Sequence, residues 1–188
     1  MLMDELDKLC REVWGAYQYL RDHDLAAQSG TSKRLRRGDT VPLRLRLIEE
    51  LYELRGVVEG THFHEGFAQD LVLEGYEVLY WAFLTALTQN ISYAELDVAS
   101  QLQTGFEAER LSRSELLPHF TFLISQIEHA GAGLAALPVS TLAQVVYLVG
   151  RACALNVIPP ARLLERDRSE MRQKEYLAAY WNSRAAFK

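Results

Sequence analysis

Leu47-Ile48-Glu49-Glu50-Leu51-Tyr52-Glu53 and, 21 residues after Glu53, Glu74-Gly75-Tyr76-Glu77-Val78-Leu79-Tyr80 are the stretches that decide how this chain is read. Each lies within an apolar pattern of helical period. Residues three apart share a helix face, so Glu50 and Glu53 form one acidic edge and Glu74 and Glu77 another. Around Glu50 the apolar stripe is Leu43, Leu47, Leu51, Leu54 and Val58, which puts both acids on its border. Around Glu74 the segment is apolar almost all round and has no Lys or Arg, which marks a central helix. Asp70, Glu74, Glu77, Trp81 and Thr88 fall on one narrow face of it. Four anions beside a packed interior need positive compensation. A hard divalent cation with oxygen ligands, Mg²⁺ or Mn²⁺, supplies it most simply and points toward phosphate chemistry.

Outward from these stretches the helical period persists, and no segment alternates as a strand does. A first helix is expected over 4–24, with Leu6, Leu9, Cys10, Val13, Tyr17 and Leu20 inward. Residues 28–39, rich in Gly, Ser, Thr and basic side chains, read as a loop. Thr40 is the expected cap of a helix with Pro42 in its first turn, ending at Gly60. The central helix covers about 66–89. Ser92-x-x-Glu95 and Ser112-x-x-Glu115 are capping boxes that open helices over 92–110 and 112–130, the latter stopped by Gly131. Pro138 and Ser140 introduce another helix ending near 156, and Pro159-Pro160 a last one ending near 181.

Composition sets outer bounds. With 188 residues, 49% hydrophobic and 24% charged, the chain can bury one sizeable core and is not a disordered composition. A net charge of −5 argues against a general nucleic-acid binder, which carries a basic stripe. No apolar run is long enough to span a membrane. The acidic opening Met-Leu-Met-Asp-Glu-Leu-Asp lacks the layout of a secretion signal. Cys10 and Cys153 are isolated, as buried small hydrophobes of a reducing compartment would be, so a cytoplasmic protein is expected.

The chain also echoes itself. Residues 46–53 align with Phe122-Leu-Ile-Ser125-Gln126-Ile-Glu-His129 at an offset of 76, and Thr88-Gln-Asn90-Ile-Ser resembles Ala154-Leu-Asn156-Val-Ile at an offset of 66. The second copy has Ser125, Gln126 and His129 in place of Glu49, Glu50 and Glu53, and Ser140 and Ala143 in place of Glu74 and Glu77. The expected architecture is one all-α domain over 1–188, with a four-helix core and flanking helices. Residues 1–110 would form an acidic repeat and 111–188 a degenerate one.

Glu-Glu-x-x-Glu on one helix and Glu-x-x-Glu on the next, preceded by Leu-Ile and followed by Val-Leu-Tyr, resembles the all-α NTP pyrophosphatases. That superfamily holds the MazG-like, dimeric dUTPase-like and phosphoribosyl-ATP pyrophosphohydrolase proteins. The likeness covers about a third of the chain. It implies hydrolysis of a nucleoside triphosphate to a monophosphate and pyrophosphate, in pool sanitation or dUTP removal. It implies Glu50, Glu53, Glu74 and Glu77 as ligands of Mg²⁺ or Mn²⁺, and Glu49 as the residue that orients or deprotonates the attacking water. The repeat lets a monomer suffice, whereas relatives commonly pair, so a homodimer stays an option.

Two positions depart from that pattern. Glu77 stands where Asp is usual, and Gln103-Thr104-Gly105-Phe106 lacks the Lys that would face the phosphates. Lys174, or Lys33, Arg34, Arg36 and Arg37 of the basic run within 28–39, are the candidate replacements, and Trp81 is a candidate stacking surface for a base. Two other readings compete. One is a nucleotide-binding relative that has lost catalysis. The other is a di-iron bundle, suggested by Glu59-x-x-His62, against which Gly60 breaks the motif and no second Glu-x-x-His exists.

Overall fold

In the computed structural model, residues 3–131 and 136–185 are described. Their regular structure is all helical, with no strand among them, as the periodicity requires. The helices are α1 (Met3–Asp22), α2 (Gly30–Arg37), α3 (Thr40–Glu59), α4 (Phe67–Thr88), α5 (Tyr93–Leu96), α6 (Val98–Glu107), α7 (Arg113–Gly131), α8 (Val139–Ala154), α9 (Ala161–Arg172) and α10 (Ala178–Ala185), with a 3-10 turn at Glu175–Leu177.

Boundaries follow local chemistry. Both capping boxes form: Ser92 and Ser112 each accept from the backbone N–H three residues on, and the carboxylates of Glu95 and Glu115 accept from the serine N–H. Four expectations need correction. Residues 28–39 are not a loop, because Ser29 caps α2 from one side and Gly38, at φ 67°, ends it on the other. Buried Leu35 anchors this short basic helix to the body. The cap of α3 is Asp39, whose carboxylate accepts from Val41 N–H, so Thr40 is already inside. The helix expected over 92–110 is split by Asp97 at φ 50°, and the final one breaks after Arg172. The expected stop at Gly131 falls at the edge of the described residues.

α3, α4, α8 and α7 form a ring in which each packs on the next, and their facing apolar residues make the core. α6 follows α4 in the chain but packs against α8. α9 follows α8 but packs against α4, and α1 closes that side against α9, α6 and α4. The α6–α8 crossing is backbone on backbone. A Cβ at Gly105 would lie 2.2 Å from the Tyr147 carbonyl oxygen, and one at Gly150 2.3 Å from that of Leu102. Backbone cannot give way as a side chain can. Gly105→Ala is therefore expected to cost about 1–3 kcal/mol and to lower the melting temperature by several degrees. An unchanged thermal melt would mean the helices do not cross this closely. No helix among the described residues is long and apolar enough to cross a membrane.

Candidate metal centre

The antiparallel pair α3–α4 turns its acidic edges toward each other. Glu50 is fully buried, and Glu74 is 2% exposed. Ligand oxygens of Glu50, Glu74 and Glu77 lie within 4.8 Å of one another, and Glu53 abuts Glu74. Helical spacing thus brings together the four acids that the sequence pairs. Burial, followed by the neighbouring carboxylate of Glu77, pushes the Glu50 carboxyl well above the ordinary range. Burial and the charges of Glu53 and Glu77 do the same to Glu74. One oxygen of each, Oε2 of Glu50 and of Glu74, is buried without a hydrogen-bond partner. Such atoms are costly unless something fills the space between them.

A cation also reaches the cluster. Arg46 ion-pairs with both Glu50 and Glu49, four and three residues on. Glu49 itself is about half exposed and stands at the rim, so it is not among the converging carboxylates. The Arg46 guanidinium also lies over the Trp81 ring, 5.2 Å from its centroid, and that of Arg34 lies 5.5 Å from it. Arg34, Arg37, Arg46, Pro42 and Trp81 line a cavity of about 190 Å³ that opens beside the acids. Of the expected substrate residues, Arg34, Arg37 and Trp81 line this cavity. Lys33 and Arg36 lie exposed on α2, Arg36 paired with Asp24. Lys174 is exposed before the 3-10 turn and joins none of these contacts. The basic run does not separate Arg34 and Arg37 from Lys33 and Arg36 until α2 fixes which side faces Trp81.

The loop between α3 and α4 brings two groups that the acidic spacing does not reveal. His62 Nε2 lies 3.3 Å and His64 Nε2 3.7 Å from Glu74 Oε1, and the two nitrogens are 2.8 Å apart. Gly56 makes room for this fold-back: a Cβ there would sit 2.8 Å from His62 Cβ, and its carbonyl accepts from the N–H of Gly60, Thr61 and His62. Asp70 fixes the other end. It is buried at the start of α4 and accepts from the N–H of His64, Glu65 and Gly66. Burial opposes its charge, but these three donors prevail and hold its carboxyl below the usual value. Asp70 shares a helix side with Glu74 yet orders the loop instead of joining the acids. Glu59 is exposed and approaches Arg55, so the Glu59-x-x-His62 pairing expected of a di-iron motif does not assemble.

Comparison of the chain with protein-family models, curated proteins and solved structures gave no match.

Proposed function

We propose that this protein is a divalent-metal-dependent nucleoside triphosphate pyrophosphohydrolase, working between α3 and α4. The observation that carries the reading is the pair of buried, partnerless carboxylate oxygens on Glu50 and Glu74. Oxygen donors from Glu50, Glu53, Glu74 and Glu77 fit Mg²⁺ or Mn²⁺. When bound, such an ion offsets triphosphate charge and lowers the pKa of an attacking water. The chain's own part is positional. Arg46 holds Glu49 at the mouth of the cluster, where its carboxylate can orient a water. Arg34, Arg37 and Arg46 offer guanidinium donors to phosphate oxygens, and Trp81 gives a flat surface between two of them. These arginines serve in place of the Lys missing from 103–106.

Duplication is part of the proposal, and four features support it. Tyr52 OH donates to Glu128 at 3.3 Å, a contact between residues 76 apart. Equivalent residues meet only where a two-fold axis passes between them. The exchanged packing of α6 on α8 and α9 on α4 has the same symmetry. The ends of α4 and α8 also match, with Asn90 and Val157 both left-handed, at φ 58° and 54°. Ile91 N–H bonds to Ala86 O and Ile158 N–H to Cys153 O. That register is 67, not 66, so Thr141 and Gln144 stand opposite Glu74 and Glu77 instead of Ser140 and Ala143. Finally, the Leu43, Arg46 and Trp81 cavity has a counterpart of about 550 Å³ whose lining includes His119, Phe122 and Leu148 at the matching positions. At the positions matching Glu50, Glu53, Glu74 and Glu77 the second copy carries Gln126, His129, Thr141 and Gln144.

The test is pyrophosphate release from canonical and modified NTPs and dNTPs with Mg²⁺ or Mn²⁺, alongside Arg46→Ala. Metal-dependent release is expected, with the variant about 10–100-fold weaker in kcat/KM, as loss of one charge-assisted contact predicts. Silence across the panel with metal still bound would transfer the site to a nucleotide-binding protein without turnover.

A further inference from the structure

We propose that His62, His64 and Glu74 form a second metal position, one for an ion of the zinc class, sharing Glu74 with the carboxylate position. It needs no assumption about pyrophosphate chemistry.

The three facing atoms are Nε2 of His62, Nε2 of His64 and Oε1 of Glu74, separated by 2.8, 3.3 and 3.7 Å. Donors at about 2.0–2.1 Å from a zinc ion stand about 2.9 Å apart along an octahedral edge and about 3.4 Å apart along a tetrahedral one. The observed triangle spans those values. Hydrogen bonding alone cannot satisfy it. A neutral imidazole Nε2 offers either one N–H or one lone pair. If His62 donates to Glu74, it has nothing left to accept from His64. If His62 and His64 bond each other, one of the contacts to the carboxylate goes unmade. A cation at the centre satisfies all three atoms at once.

The surroundings suit that occupant. The Gly56 carbonyl holds the His62 N–H at 3.1 Å, and Asp70 holds that of His64 at 3.1 Å, so backbone contacts fix both histidines. Glu74 turns Oε1 toward the histidines and keeps Oε2 buried and partnerless. One carboxylate can then serve two positions. His64 is about half exposed, so solvent has access to an open coordination site. Two histidines, one glutamate and an open site are the donor set of catalytic zinc, and imidazole selects Zn²⁺ over Mg²⁺.

Zn²⁺ binding to the full chain, followed by calorimetry and by metal content after gel filtration, tests this. Co²⁺ serves as a coloured substitute whose visible absorption reports nitrogen ligation. The wild type and Glu50→Gln should each retain one Zn²⁺ per chain. His62→Ala/His64→Ala, altered in an outer loop and checked for unchanged helicity, should bind Zn²⁺ at least about 100-fold more weakly and lose the cobalt spectrum. Glu74→Gln should weaken both positions. Equal Zn²⁺ affinity in the wild type and the double-histidine variant would overturn the proposal, as would zinc lost with Glu50→Gln but kept without the histidines. Failure of the pyrophosphate assay would leave these readouts untouched.

Discussion

Glu50→Gln is expected to abolish metal-dependent pyrophosphate release, by at least about 1,000-fold or ~4 kcal/mol of barrier, and at the same time to stabilise the metal-free protein. The two effects share a cause. Glu50 is fully buried, with one oxygen partnerless and with Glu77 and Glu53 near it. Its carboxyl is raised in the folded chain, so the folded state holds a proton that the unfolded chain has already released at neutral pH. Apo stability therefore falls as pH rises from the ordinary carboxylate range toward the raised value. A neutral amide of the same shape removes that penalty and can still accept from Arg46, whose other partner, Glu49, remains. What it cannot do is offer an anionic oxygen to a cation. Thermal melts with and without Mg²⁺ separate the effects. The wild type should gain stability on adding metal by mass action, and the variant should start higher and gain nothing. An active variant, or one less stable than the wild type without metal, would dismiss the carboxylate centre.

Much of the fold was legible because single helices announce themselves locally. Capping boxes at Ser92 and Ser112, the all-round apolar character of α4 and the inward stripe of α3 are contained within a few turns of chain. The acids were legible for the same reason: Glu50 and Glu53, and Glu74 and Glu77, obey helical spacing wherever their helices go. What failed depended on distant contacts. α2 is a poor helix by composition and exists because Ser29, Gly38 and buried Leu35 fix it against the body. The histidine pair is invisible to spacing, since it depends on Gly56 leaving room and on Asp70 gathering three N–H groups. Arg34 and Arg37 could not be told from Lys33 and Arg36 until the side of α2 facing Trp81 was known. In the proposed duplication, the left-handed positions Asn90 and Val157 set an offset of 67 where the residue pattern suggests 66, a one-residue difference that apolar patterning alone tolerates.

Asp167→Asn should flatten the pH dependence of stability, through a carboxyl that lies outside the metal centre. Asp167, on α9, is 2% exposed and accepts from Tyr17 OH of α1 at 2.6 Å, while its Oδ2 is buried without a partner. Burial, aided by the nearby Glu170 and opposed by the Tyr17 bond, pushes this carboxyl up to about 8. The unfolded chain loses that proton near the ordinary aspartate value, about 3.9, whereas the folded chain keeps it. Between those limits the folded state binds more protons, so stability is greatest at the acid end and declines as pH rises, levelling off above the folded value. Each pH unit in that window is worth at most ~1.4 kcal/mol. From pH 5 to pH 8 the wild type should therefore lose up to about 4 kcal/mol that Asp167→Asn keeps. Asparagine still accepts from Tyr17 but introduces amide hydrogens where Oδ2 lay, so the variant should start no more stable than the wild type at pH 5. Its relative stability should then rise with pH. Denaturant titrations at these pH values, without added metal and in the Glu50→Gln background, isolate the contribution from that of Glu50. A constant difference between the two proteins across the range would show that Asp167 is ionised when folded, and that the α1–α9 contact rests on a charged hydrogen bond instead of a shared proton.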